Sequence, residues 1–96
     1  MKRRMMYRFR LFIAGDAPNS VQALANLNAI CKANLSDQYD IEVVDVFKEP
    51  ERAMAEGIFM TPTLIKILPG PVQRIVGTLS RTSAVMQSLG LEILAA

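Results

Sequence analysis

Histidine is absent from these 96 residues, and cysteine occurs once, as Cys31. Without histidine the chain lacks the commonest metal ligand and the one side chain that titrates near neutral pH unaided. A single cysteine rules out an internal disulfide and any metal site built from several thiolates. Long apolar runs are missing too. None approaches the roughly 20 residues of a membrane-spanning helix, and the basic start is not followed by a signal-peptide core with a small-residue cleavage site. These gaps predict a soluble, cytoplasmic chain with no catalytic residue, no metal and no cofactor. Internal repeats and low-complexity segments are also absent, as is any stripe of lysine and arginine interleaved with aromatics. The net charge of +2 is unevenly placed: Lys2, Arg3, Arg4, Arg8 and Arg10 are five of the eleven basic residues, leaving six basic against nine acidic groups, a net of −3, in residues 11–96. A short basic arm, residues 1–6, on an acidic body predicts a solvated terminus rather than nucleic-acid binding.

What is present fits one small α/β domain over residues 1–96. Tyr7-Arg8-Phe9-Arg10-Leu11-Phe12-Ile13-Ala14 begins as alternation and ends as a continuous apolar run, a strand entering the interior with Arg8 and Arg10 on its open face. Turn and cap residues from Gly15 to Ser20 follow. Val21, Leu24, Leu27, Ile30 and Cys31 then recur at three- and four-residue spacing, predicting a helix that ends near Asn34 and buries Cys31 as a small core hydrophobe. Ile41-Glu42-Val43-Val44-Asp45-Val46-Phe47 is a β-branched strand, so residues 7–47 form a βαβ unit with parallel strands. Residues 48–57 read as a short helix with proline and acids at its start and glycine at its end. Residues 72–77 alternate as a strand. Ser80 is a candidate N-cap for a last helix running to Leu91 or beyond, with Ala84, Val85, Leu89, Ile93 and Leu94 on its apolar face; Gly90 weakens that helix, and Leu91-Glu92-Ile93-Leu94 reads equally as a strand.

The chain is organised around Met60-Thr61-Pro62-Thr63-Leu64-Ile65-Lys66-Ile67-Leu68-Pro69-Gly70-Pro71. An apolar run fenced by prolines is the punctuation of a short buried strand. Yet Pro62 also suits a first helical turn, and Pro69 would end such a helix one residue earlier. Local preference leaves strand and helix both open.

Taken with a strand at 64–68, the order is βαβαββα, the thioredoxin-like arrangement. Asp16-Ala17-Pro18-Asn19 stands where a thioredoxin carries Cys-x-Pro-Cys, and Thr61-Pro62-Thr63-Leu64 resembles the cis-proline loop that faces it. Dithiol exchange needs an attacking and a resolving thiol, and neither cysteine is there. The likeness is more specific than a fold. Three separated stretches, Leu11-Phe12-Ile13-Ala14-Gly15-Asp16-Ala17-Pro18-Asn19-Ser20-Val21, Val43-Val44-Asp45-Val46, and Thr61 through Ser80, resemble the KaiB family of clock proteins at matching spacing.

That resemblance implies a non-enzymatic protein that binds the N-terminal ATPase ring of a KaiC-type protein and modulates its phosphorylation cycle and output. KaiA and a histidine kinase with a KaiB-like domain are further implied partners. It also implies two folds: a βαββααβ ground state in a homotetramer or dimer, with residues 64–68 helical and the C-terminal residues a strand, and a monomeric βαβαββα state that binds KaiC. The ground state is the one expected of a purified protein. Residues 7–47 would be common to both folds and residues 48–96 would switch. The implied partner-binding set is Arg10, Glu42, Lys48, Arg52, Met54, Gly57, Phe59, Lys66 and Arg74; the implied switch set is Tyr7, Pro62, Pro69, Gly70, Pro71, Ser88 and Gly90. Where cyanobacterial members carry basic residues this chain has Gln22, Glu42, Gly57 and Gln73, and their three-proline run is Pro69-Gly70-Pro71. Two other readings stay open: a redox-inactive thioredoxin-like module for another partner such as a sensor histidine kinase, and a monothiol redox protein using Cys31.

Overall fold

A computed structural model describes residues 6–91. Seven elements follow in order: β1 (Tyr7–Ile13), α1 (Pro18–Asn34), β2 (Tyr39–Asp45), α2 (Pro50–Ala55), β3 (Thr63–Leu68), β4 (Gln73–Val76) and α3 (Thr82–Leu89). This is the βαβαββα order, so residues 64–68 are strand here and the helical alternative of the βαββααβ order is not adopted. The C-terminal strand of that other order, Ile93, Leu94 and most of the basic arm lie outside the described residues.

Pairing decides what local preference left open. β3 runs antiparallel to β1 on one side and to β4 on the other, in a sheet of order β2-β1-β3-β4 where β1 and β2 are parallel. Residues 62–66 are buried in consequence, as expected of a strand covered on both faces. Pro62 precedes β3, while Pro69, Gly70 and Pro71 make the connection to β4; the bonds Thr61-Pro62, Leu68-Pro69 and Gly70-Pro71 are cis.

Alternation along β1 divides the core between the sheet's two faces. Phe9 and Leu11 join Leu27, Ile30 and Cys31 of α1 and Val85, Met86 and Leu89 of α3, while Phe12 joins Val44, Ala53 of α2 and Ile65. Hence α1 and α3 cover one face and the shorter α2 the other. Tyr7 stacks on Phe9, ring centroids 6.2 Å apart.

Four expectations about the helices need correction. α1 opens at Pro18, before Val21, and buries Ser20, Ala23, Leu27, Ile30 and Cys31 while Val21 is exposed; the Ser20 hydroxyl accepts the Ala14 N–H at 3.0 Å. Arg81, not Ser80, occupies the N-cap of α3 and makes no side-chain cap; Ser80 Oγ instead lies 2.6 Å from Thr78 Oγ1. Ala84 is exposed, and Met86 takes the buried place. Gly90 does not weaken a longer helix but ends this one. With φ at +72° it lets the Leu91 N–H reach the Met86 carbonyl at 2.9 Å and its own N–H the Gln87 carbonyl at 3.1 Å, the hydrogen-bond pair of a Schellman motif, with Leu91 and Met86 both buried beside it.

Candidate functional site

The position of a thioredoxin's dithiol is chemically silent. Asp16 and Ala17 lie in the turn before α1, and Pro18 and Asn19 begin it. The lone thiol, Cys31, has no exposed surface, and burial pushes its pKa up to about 12, so it stays protonated and unreactive in the fold. Among the described residues no group of three or more His, Cys, Asp or Glu side chains is placed to hold a metal.

A candidate surface lies on the other face of the sheet, beside α2. In-register pairing lines up one residue from each strand: Glu42 of β2 beside Arg10 of β1, Arg10 beside Ile65 of β3, and Ile65 beside Arg74 of β4. Successive side chains in a strand alternate faces, so this row lies together on one face. Arg10 Nε donates to Glu42 Oε1 at 2.7 Å, and its Nη1 donates to both carboxylate oxygens of Glu56, at 2.9 and 3.0 Å. From α2, Arg52 Nη1 donates to Glu42 Oε2 at 2.9 Å and to Glu49 Oε1 at 3.4 Å. Hydrogen bonds from Arg52, then from Arg10, hold the Glu42 carboxyl down at about 2, and the bond to Glu42 raises the Arg10 guanidinium above its ordinary value. Arg74 reaches in from the outer strand: Nη1 donates to the Gly57 carbonyl at 3.4 Å and Nη2 to the Glu56 carbonyl.

Of the nine residues expected to bind a partner, five therefore form one cluster: Arg10, Glu42, Arg52, Arg74 and, at the end of α2, Gly57, whose φ of +67° suits glycine alone at little cost. Lys48 is exposed before α2. Met54 and Phe59 are left 79% and 95% exposed, and Met60 beside them is 65% exposed. Single exposed apolar side chains are ordinary, but three within seven residues of one loop and helix are a candidate contact surface. Lys66 does not join them. Its chain is 4% exposed, its Nζ donates to the Leu89 carbonyl at 2.9 Å, and it faces α3 across the sheet from the row. Ser88 and Gly90, expected to belong to a switch, sit at the end of α3, Ser88 exposed.

Glu56 was missed by sequence reasoning, and a signal existed. An acid at a helix C-terminus opposes the macrodipole, so its presence at the C-cap of α2 points to a cationic partner from elsewhere in the chain.

A four-stranded mixed sheet with helices on both faces and no thiol in the turn before α1 defines a thioredoxin-like domain without dithiol chemistry. Solved structures agree: the N-terminal domain of Synechococcus elongatus SasA superposes with TM-score 0.73 at 22% identity, over 94% of this chain and 89% of that one. Chloroplastic thioredoxin z superposes with TM-score 0.74 at 19% identity, over 91% and 78%. Residues 10–91 match the KaiB domain, and the chain belongs to the KaiB family. The circadian clock protein KaiB3 of Synechocystis is 51% identical over 84 residues, covering 88% of this chain and 80% of the relative. The circadian clock oscillator protein KaiB of Thermostichus vulcanus is 44% identical over 91 residues, covering 95% and 82%.

Proposed function

We propose that the chain is a non-enzymatic clock or timing protein that binds the N-terminal ATPase ring of a KaiC-type protein and modulates its phosphorylation cycle, in the βαβαββα fold described above. Family membership over residues 10–91 supports the clock role. The observation that carries the surface is Phe59, 95% exposed beside the charged cluster at the end of α2. An apolar anchor flanked by oriented charges has the composition of an interface centre, where aromatic and arginine side chains concentrate binding energy. Contacts are assigned to Glu42, Lys48, Arg52, Met54, Gly57 and Phe59, with Arg10 and Arg74 adjoining; a KaiA-type protein is a further partner where one is present.

The reading includes a second state. Residues 7–47 stay constant, while residues 48–96 rearrange into the βαββααβ order in a homotetramer or dimer, and the ATPase draws the population toward the fold that it binds. Self-association favours the other state by mass action. The local ambiguity of residues 64–68 supports this exchange.

Native mass spectrometry of the chain with a KaiC homologue from the same genome, in ATP and then in ADP, tests the reading. A complex forming in ADP is the expected result. No complex with any such homologue in either nucleotide overturns it.

A further inference from the structure

Arg10 and Arg74 stand on strands separated by β3, yet both guanidinium groups converge on one residue, Glu56. Arg10 binds its carboxylate at 2.9 and 3.0 Å; Arg74 binds its main-chain carbonyl and, at 3.4 Å, that of Gly57. Between them the row holds Ile65, 4% exposed, part of the apolar cluster that includes Ala53 of α2. The C-terminus of α2 is thus gripped from both sides over a buried apolar floor.

We infer that Arg10 and Arg74 are positioning residues: they fasten the end of α2 to the sheet and thereby set residues 57–60, with Phe59 at the tip, in the orientation a partner meets. The inference rests on the contact surface proposed above and changes the role of two residues within it, from contacts to supports. α2 has only six residues, too few to be stable alone, and its C-terminal carbonyls need donors from outside the helix. The N–H groups of Glu56, Gly57 and Ile58 serve the carbonyls of Arg52, Met54 and Ala53, and the two arms of the Arg74 guanidinium take those of Glu56 at the C-cap and Gly57 just beyond it. Arg10 neutralises an acid that would otherwise oppose the helix dipole. Glu42 and Arg52 complete the seat, since Glu42 orients Arg10 through Nε and leaves Nη1 aimed at Glu56.

Two measurements separate this inference from the function on which it rests. The first needs no partner. The Gly57 and Ile58 amides are bonded to Met54 and Ala53 carbonyls at 3.1 and 2.8 Å, so their hydrogen exchange reports whether the end of α2 is held. Arg74→Ala and Glu56→Gln should each speed exchange at Gly57 and Ile58 by about tenfold, while Phe9 and Leu11 amides in β1 stay unchanged; Arg74→Lys, which can still donate to one carbonyl, should recover part of the protection. Unchanged exchange at Gly57 and Ile58 overturns the inference. The second is a double-mutant cycle between Arg10→Gln and Glu56→Gln, read as affinity for the KaiC-type ATPase in ADP. Positioning through Glu56 makes the double variant no weaker than the weaker single variant; additive losses mean that Arg10 touches the partner directly and overturn it. If the unaltered chain binds no such ATPase, the proposed function fails while the exchange result still decides the latch.

Discussion

The ammonium of Lys66, buried on β3, donates to the Leu89 carbonyl at 2.9 Å, where α3 ends. Leu89 contributes one of the last carbonyls of the helix, which have no partner inside it, and a cation placed there also suits the negative end of the helix dipole. The bond joins the strand that gives this fold its order to the helix that closes it. A lysine that sequence resemblance assigns to partner binding is here an internal tie between two elements.

Replacing Lys66 with methionine keeps most of the packing and removes the donor. The Leu89 carbonyl is then left buried without its partner, and unfolding stability should fall by about 1–3 kcal/mol. Urea titration followed by circular dichroism checks this. A midpoint equal to that of the unaltered chain would show that the bond contributes nothing.

Gly90→Ala places a side chain at φ +72°. The space is open, the nearest atom to an added Cβ being Lys66 Nζ at 3.9 Å, so the cost is backbone strain rather than collision. The βαβαββα fold should lose about 1–2 kcal/mol, with the loss read from the same titration. Under the proposed exchange, NMR should show the population moving away from this fold.

Acid should weaken the α2 seat in one direction only. The folded-state pKa of Glu42 is depressed to about 2 by Arg52 and Arg10, so its contribution is complete above the ordinary carboxylate value of about 4.3 and is lost as pH falls through about 2. Because the pair is partly exposed, its size should stay within about 1 kcal/mol and shrink in salt. Glu42→Gln should flatten that part of the stability profile. An unchanged acid limb would remove Glu42 from the account.

Cys31 should ignore a thiol reagent at pH 8 in the native protein and react at once in denaturant, since its thiol is buried with a pKa near about 12. Rapid native labelling would revive the monothiol reading.

Most of the fold could be read along the chain, because alternation in β1 and the β-branched run of β2 state their burial directly. Residues 64–68 could not be settled that way: what makes them strand is pairing with β1 and β4, which lie far away in sequence. Val21 is exposed because, at about 3.6 residues per turn, it stands off the stripe shared by Ser20, Ala23, Leu27 and Cys31, although its spacing to Leu24 fits a helical face. In the site, exposed Phe59 and Met54 and the arginines were legible as residue types. Their division into tips and supports was not, since it depends on the cross-strand register that brings Arg10 and Arg74 to Glu56. The acid at Glu42 acquires a reason in the two arginines it joins.

The most direct test of the account is an NMR titration of the labelled chain with the N-terminal ATPase domain of a KaiC homologue in ADP. Amide signals of residues 48–60, Phe59 foremost, should broaden or shift first, those at the exposed side of α1 should hold, and Phe59→Ala should weaken binding by at least about tenfold. Perturbations confined to α1 or α3, or full binding by Phe59→Ala, would contradict it.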